Sequence, residues 1–302
     1  MDLKSKIILI YGPTASGKSN FAIKLSKKIN GEIINADSMQ VYKELKVLSA
    51  RPSKNEYKRI KHHLFGFHSV KKKFSTGDWL KLAKKKIKDV KKRKKVPILV
   101  GGTGLYFKSL TDGLVSIPNI PTKFRQKVRS LHKKIGSKKF FSKLIKLDPL
   151  VKNRIKSSDT QRSIRAYEVK SFTKKSIYLW FKKTKSNYQQ KDFYKIYIDF
   201  PKDKLVERIH LRAQEMLKKG AISEVKKFNS LKVRNDKTAY KAIGIREVNE
   251  YLQKKIEIAE VIEKISIKTR QYAKRQRTWA NGNMQNWNKI NPIQLTDFLK
   301  KI

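Results

Sequence analysis

The 302-residue chain has no cysteine, which excludes a disulfide framework and a cysteine-bound zinc site and suits a reducing compartment. Its apolar runs are short. None approaches the ~20 residues needed to span a bilayer, and residue 1 leads into a strand-like segment without the leader of an exported chain. A soluble, cytoplasmic protein is expected. Acidic residues are scarce, 24 Asp and Glu against 74 Lys and Arg, leaving a formal charge of +50. A field of that size attracts polyanions. Only 15 of the cations are arginine, however, and lysine can simply coat solvated helix faces, so arginine placement says more about a nucleic-acid partner than the total.

Apolar strand candidates recur at 7–11, 32–36, 97–100 and 194–200, and between the first two Phe21, Leu25 and Ile29 fall at helical spacing. A further amphipathic helix is predicted over 78–90, with Trp79, Leu82, Ala83 and Ile87 on one face. Continuous apolar strands separated by helices predict an α/β fold: a parallel sheet flanked by helices, with ligands at the carboxyl ends of the strands. From about residue 118 the strand signal vanishes. Phe124, Val128 and Leu131, then Phe140, Leu144 and Leu147, predict short basic helices. The expected division is a core at 1–117, a helical insertion at 118–192, and core completion with C-terminal helices at 193–302.

Residues Gly12-Pro13-Thr14-Ala15-Ser16-Gly17-Lys18-Ser19 form a complete G-x-x-x-x-G-K-[ST] loop between the first strand and a helix. Such a loop turns backbone N–H groups and a helix N-terminus toward a polyphosphate. Lys18 would add a cation, and Ser19 would bind Mg²⁺. The fold is therefore expected to be P-loop NTPase-like, and the loop alone implies nucleotide or ATP binding.

The second strand ends in Asn35-Ala36-Asp37-Ser38-Met39-Gln40, placing Asp37 at the same sheet edge. There it could organise Mg²⁺, accept a proton, or only cap a turn. The third strand ends in Gly101-Gly102-Thr103-Gly104, where a ligand can approach the backbone and Thr103 offers a hydroxyl. Three loops would thus converge on one cavity. Arginine and glutamine cluster in Gln161-Arg162-Ser163-Ile164-Arg165 and again in Thr269-Arg270-Gln271-Tyr272-Ala273-Lys274-Arg275-Gln276-Arg277-Thr278-Trp279. Each cluster can hold RNA phosphates and bases, or can be an amphipathic helix whose cations pair internally, for example Arg162 or Arg165 with Glu168.

With these motifs together, the chain resembles the bacterial tRNA dimethylallyltransferases, also called tRNA isopentenyltransferases. The resemblance runs to about Trp279 and includes Asp37-Ser38-x-x-Val41-Tyr42, His62-His63-Leu64, Gly101-Gly102-Thr103-x-Leu105-Tyr106 and Asp159-x-Gln161-Arg162-x-x-Arg165-Ala166-x-Glu168. It departs at Val47-Leu48-Ser49-Ala50-Arg51-Pro52, where Gly-Thr-Ala-Lys-Pro is expected. The resemblance implies transfer of a dimethylallyl group from dimethylallyl diphosphate to N6 of the adenosine 3′ of the anticodon, in tRNAs reading codons that begin with U. The loop 12–19 would hold the diphosphate leaving group with Mg²⁺ at Ser19, Asp37 would be the general base, and Thr103 would bind the target adenine. Contact with the tRNA anticodon stem-loop is implied for Asp37, Ser38, Met39, Gln40, Thr103 and Gln161 through Arg165, with Arg125 added by position and Lys274 and Arg275 from the later helix. A monomer with no membrane partner is expected. A P-loop nucleotide or small-metabolite kinase shares the first motifs but not the later ones.

Overall fold

The computed structural model describes residues 3–57, 59–235 and 237–302. These form two compact units, one of 1–111 with 188–302 and one of 112–187. Both junctions lie a few residues before the expected ones.

The larger unit is built on a six-stranded sheet of β1 (Ile7–Tyr11), β2 (Gly31–Asn35), β3 (His62–His63), β4 (Val96–Gly101), β5 (Phe193–Ile198) and β6 (Asn288–Ile290), in the order β3-β2-β4-β1-β5-β6. Every pairing is parallel. Parallel strands need covered faces, and β1, Ile-Ile-Leu-Ile-Tyr, is buried at all five positions. Its alternate residues divide between two cores. Ile8 and Ile10 join Phe21 and Leu25 of the helix α1 (Lys18–Lys28) and Ile29 at its C-cap. Ile7, Leu9 and Tyr11 join Trp79 of α2 (Thr76–Lys92) and Tyr106 and Phe107 of α3 (Gly104–Thr111). The Trp79 and Tyr106 rings stack at 4.3 Å, and the Trp79 indole donates to the Asn35 carbonyl at 2.8 Å.

The smaller unit contains α4 (Thr122–Leu147), interrupted at Gly136 with φ 76°, followed by α5 (Thr160–Thr173) and α6 (Ile177–Phe181). Leu144, Val151, Ile155, Ala166 and Val169 form its own core. The C-terminal part of the larger unit adds α7 (Lys202–Lys218), α8 (Ala221–Ser230), α9 (Ile245–Leu252), α10 (Ile258–Asn283) and α11 (Pro292–Lys300). The edge strands β3 and β6 were not expected: two- and three-residue strands with polar side chains carry no readable period.

The His62-His63 pair has a structural use away from the loop ends. The Glu32 carboxylate, 2 % exposed, accepts from Arg93 through Nε at 3.1 Å and Nη2 at 2.6 Å, and lies 2.6 Å from His63 Nε2 and 3.7 Å from Lys95. Burial alone would raise its pKa, but the hydrogen bonds from Arg93 and His63 outweigh burial and hold it at about 2. Burial lowers the His63 pKa despite Glu32, which favours the neutral ring. Because folded Glu32 titrates below its unfolded value of 4.5, its stabilisation is complete above that pH and is lost as pH falls toward about 2. Glu32→Gln should therefore cost about 2–3 kcal/mol at neutral pH. The gap from wild type should close on acidification below pH 4.5 in urea denaturation series, and a gap independent of pH would remove the ion cluster as its cause.

Candidate active site

The phosphate loop leaves β1 at Tyr11 and closes on the first turn of α1. Ala15 and Gly17 both have positive φ, 64° and 81°, which curls the loop back on itself. A Cβ on Gly12 would fall 2.8 Å from Ser16 Oγ and 3.2 Å from Ile198, so the turn requires glycine. Ser16 Oγ is buried without a hydrogen-bond partner among the described residues. Lys18 Nζ donates to the Pro13 carbonyl at 3.1 Å. Desolvation lowers its pKa to about 8, with Arg212 lowering it further and Asp37 opposing both. The ammonium group lacks an adequate counter-ion.

The loop does not stand alone. Arg212 of α7 donates to Thr14 Oγ1 at 2.9 Å, and Arg208, one turn earlier, reaches toward Gly17 while covering the Phe200 ring. Neither arginine was singled out from the sequence. The readable signal was a cation on the inner face of an amphipathic helix, next to Ile209 and Ala213.

Gln276 of α10 joins two loops through one amide. Its Oε1 accepts from the Thr14 N–H at 2.8 Å, and its Nε2 donates to the Gly102 carbonyl at 2.8 Å. Tyr11 Oη donates to the Gln276 carbonyl at 2.9 Å. A Cβ on Gly102 would lie 2.1 Å from Nε2, and one on Gly104 would lie 2.3 Å from the Trp279 indole. The helix around 269–279 thus has a core face at Ala273, Gln276 and Ala280, whereas Lys274 and Arg275 are exposed.

Asp37 and Thr103 meet where β2 and β4 end. A Cβ on Gly101 would sit 2.1 Å from the Ala36 backbone, so glycine lets the two strand ends touch. The Ser38 N–H donates to Thr103 Oγ1 at 2.9 Å, and the Thr103 N–H donates to the Ala36 carbonyl at 3.2 Å. Asp37 Oδ1 accepts from the Met39 N–H at 2.9 Å, so the turn-capping reading holds for one oxygen. Tyr272 lines the cavity near Thr103 and Asp37. Burial, and then the charge of Asp37, raise the Tyr272 pKa and keep it a neutral phenol.

Of these groups, Thr14, Asp37, Arg212 and Tyr272 line a cavity of about 300 Å³, whereas Lys18, Ser19, Thr103 and Gln276 are not part of its wall. Thr14, Asp37, Arg212 and Arg275 contribute polar walls, while Leu48, Ile209, Ala213, Met216 and Ile265 form an apolar one. Among the other residues picked from the sequence, Ser38 and Met39 line this cavity. Gln40 is occupied instead, its Nε2 donating to the carbonyls of Ser49 at 3.1 Å and Ala50 at 3.2 Å.

Gln161 through Arg165 and Arg125 lie in the smaller unit. Gln161 and Arg162 are exposed, Arg162 pairing with Asp159 at 3.1 Å. Arg165 pairs with buried Glu168 at 3.4 Å, which realises the internal ion pair weighed from the sequence. Ser163 is 2 % exposed and packs inward, so in this conformation it presents no hydroxyl to a ligand. Arg125 Nε is buried without a partner among the described residues.

Among the described residues no cluster of three His, Cys, Asp or Glu could hold a metal ion. Any ion at the Ser19 hydroxyl would draw its remaining ligands from a bound polyphosphate and water, as Mg²⁺ ordinarily does. No helix among them is long and apolar enough to cross a membrane.

The IPP transferase family model matches residues 40–283. A tRNA dimethylallyltransferase of Pelagibacter ubique is 61 % identical over 302 residues, covering 100 % of this chain and 96 % of that protein. One from Rickettsia massiliae is 43 % identical, covering 99 % and 83 %. The crystal structure of the full-length tRNA isopentenylpyrophosphate transferase of Bacillus halodurans superposes with a TM-score of 0.69 at 30 % identity, covering 98 % of this chain and 95 % of that one. A eukaryotic dimethylallyltransferase solved acting on tRNA gives 0.82 at 27 % identity, covering 95 % and 74 %. With the phosphate loop, the strand-end carboxylate and the apolar cavity already in one place, these likenesses show that the chain belongs to the IPP transferase family, among the tRNA dimethylallyltransferases.

Proposed function

We propose that this enzyme transfers the dimethylallyl group of dimethylallyl diphosphate to N6 of the adenosine 3′ of the anticodon in tRNAs reading codons that begin with U. The observation that carries this reading is the cavity itself, whose wall combines Thr14 of the phosphate loop, Arg212 and the carboxylate of Asp37 with an apolar surface. A nucleotide kinase presents a polar acceptor to such a loop. A hydrocarbon wall suits an allylic donor.

In the reaction, the bond from C1 of the donor to N6 forms and the bond from C1 to the diphosphate oxygen breaks. Negative charge gathers on the leaving diphosphate. Lys18, Arg212 and the N–H groups of 15 and 17–19 stabilise it without reorganising, because the loop, closed by the Ser16 N–H on the Pro13 carbonyl at 3.3 Å, and Gln276 hold them in place beforehand. The Thr14 N–H is committed to Gln276, so it braces the loop instead of binding the ligand. Mg²⁺ bound by Ser19 would neutralise further diphosphate charge. Asp37 accepts the proton lost from N6, and Thr103 with Tyr272 orients the adenine edge. The anticodon loop is single-stranded, so extruding one base from it costs little.

The basic smaller unit supplies RNA contacts through Gln161, Ile164 and Arg162, with Arg165 and Arg125 as secondary groups. Ser163 supports the helix from within. Lys274 and Arg275 serve the same RNA from α10. The proposed working form is a monomer, and a tRNA substrate supports the cytoplasm as its place of work.

Lys18 gives the donor site a pH signature. Its ammonium must be charged to hold diphosphate, and without ligand it loses its proton at about 8. Affinity for inorganic diphosphate should therefore fall as pH rises above 8, approaching tenfold per unit, and Lys18→Ala should bind weakly with a flat profile there. Calorimetric titration across pH 6–10 checks this, and an unchanged slope in the variant refutes it.

Asp37→Asn keeps the turn hydrogen bond but cannot take a proton, so single-turnover prenyl transfer should drop by ~10²–10⁴ while tRNA still binds. Near-normal single-turnover chemistry would leave Asp37 a positioning role only.

Arg162 is 74 % exposed, so Arg162→Ala should raise the tRNA KM and reduce the slope of log affinity against log salt by about one phosphate contact. A defect seen only in the donor constants would place Arg162 elsewhere.

A further inference from the structure

We propose that Arg208 binds the terminal phosphate of the donor, as a second arginine beside Arg212, and sets affinity for the diphosphate without setting the rate of carbon transfer. This rests on the reading of residues 12–19 as the diphosphate loop. Arg208 stands at the closing end of that loop. Its Nη2 and Nη1 lie 3.7 and 3.9 Å from where a Cβ on Gly17 would be, beside the left-handed turn that opens α1. The first N–H groups of a helix have no partner within it and face outward, which is where an anion is bound.

The guanidinium is oriented there without being neutralised. It lies over the Phe200 ring, 4.8 Å from the centroid, and Phe200 packs with Leu205, Ile209 and Ala15 of the loop itself. Among the described residues no carboxylate forms an ion pair with Arg208. Arg93 and Arg165, by contrast, are spent on Glu32 and Glu168. An aromatic face fixes the plane of a guanidinium and leaves the N–H donors at its edge for a ligand, whereas a carboxylate would consume them. Charge balance points the same way. The loop is served by three cations, Lys18, Arg208 and Arg212, while Asp37 is the acid whose charge acts on Lys18 and Arg212. A diphosphate supplies the missing negative charge.

The order of residues along α7 assigns each arginine its phosphate. Arg212 lines the cavity with Ala213 and Met216 and donates to Thr14 near the start of the loop. Arg208 is four residues earlier, about 6 Å along the helix axis. It is exposed, is not part of the cavity wall, and stands over Gly17. The hydrocarbon of the donor belongs with the apolar wall, so the phosphate joined to carbon falls near Arg212 and the terminal phosphate toward Arg208. The bond that breaks joins C1 to an oxygen of the first phosphate. Charge on the terminal phosphate is present in the bound donor and remains on the departing diphosphate, so Arg208 binds substrate, transition state and product alike.

The test measures calorimetric binding of inorganic diphosphate, and steady-state constants for dimethylallyl diphosphate at saturating tRNA, in wild type, Arg208→Ala, Arg208→Met and Arg208→Lys. Arg208→Ala should weaken diphosphate binding and raise the donor KM by at least about tenfold, with kcat and the tRNA KM changed by less than about threefold. Arg208→Met keeps a long side chain on the Phe200 ring without the charge and should match Arg208→Ala. Arg208→Lys, a point charge without the planar fork, should fall between them and wild type. Inhibition by dimethylallyl monophosphate, which has no terminal phosphate, should be the same in wild type and Arg208→Ala. Wild-type diphosphate affinity in Arg208→Ala overturns the inference, and so does recovery in Arg208→Met, which would make the role one of packing. Equal weakening of monophosphate and diphosphate, a loss confined to kcat, or a defect confined to the tRNA KM also overturns it. If wild type itself binds no diphosphate, the reading of the loop fails first, and this inference with it.

Discussion

The site depends on three strand ends being held in contact, and one buried amide joins two of them. Gln276 is suited to it because a carboxamide carries an acceptor and a donor on the same rigid plane, so it can satisfy the Thr14 N–H and the Gly102 carbonyl at once. A carboxylate would leave the Gly102 carbonyl facing another acceptor. An aliphatic side chain would strand both backbone groups in a dry environment. The glycines follow from the same constraint, since Gly101 and Gly102 exist where a Cβ would strike Ala36 or Gln276 itself. Thr14 of the phosphate loop and the Asp37 carboxylate therefore line one cavity, with Thr103 hydrogen-bonded to the Ser38 N–H beside it, as a consequence of packing between β1, β2, β4 and α10.

A chain with 74 cations and 24 acids can spend few acids on structure, and where they are spent is informative. Glu32, Glu168 and Glu247 are nearly fully buried, each against arginine, lysine or histidine. Glu224 fixes the 46–48 backbone. Asp37 differs in standing at the cavity, where its charge is felt by Lys18, Arg212 and Tyr272. Most lysines remain solvated, which is why the total charge predicts attraction to polyanions better than it locates a binding face.

What could be read from the sequence follows from the range of the interactions that write it. The strands at 7–11 and 97–100 and the loop 12–19 are encoded by contiguous residues, and the structure has them there with ends shifted by a residue or so. Arg212 and Tyr272 escaped because their roles depend on residues far away in the sequence, Thr14 for the first and Asp37 and Thr103 for the second. The helix at 269–279 illustrates the ambiguity of spacing: one face of the cylinder is core and another is solvated. Core packing claims Ala273 and Gln276, and solvent claims Lys274 and Arg275. Periodicity could separate the faces, but nothing local could show that the core face includes a bridge between two loops.

A phosphate loop serves a prenyl donor because its electrostatics are indifferent to which bond breaks. In phosphoryl transfer the loop stabilises charge on a phosphate under attack; with an allylic diphosphate it stabilises the same oxygens as they depart from carbon. What changes the chemistry is the material opposite the loop. Here the neighbouring wall is Ile209, Ala213 and Met216, spaced along the same helix that brings Arg212 to Thr14. Successive inner positions of α7 thus carry the anion partner and the hydrocarbon wall. The register of that single helix against the loop therefore fixes the cation at Thr14 and the apolar wall of the cavity together.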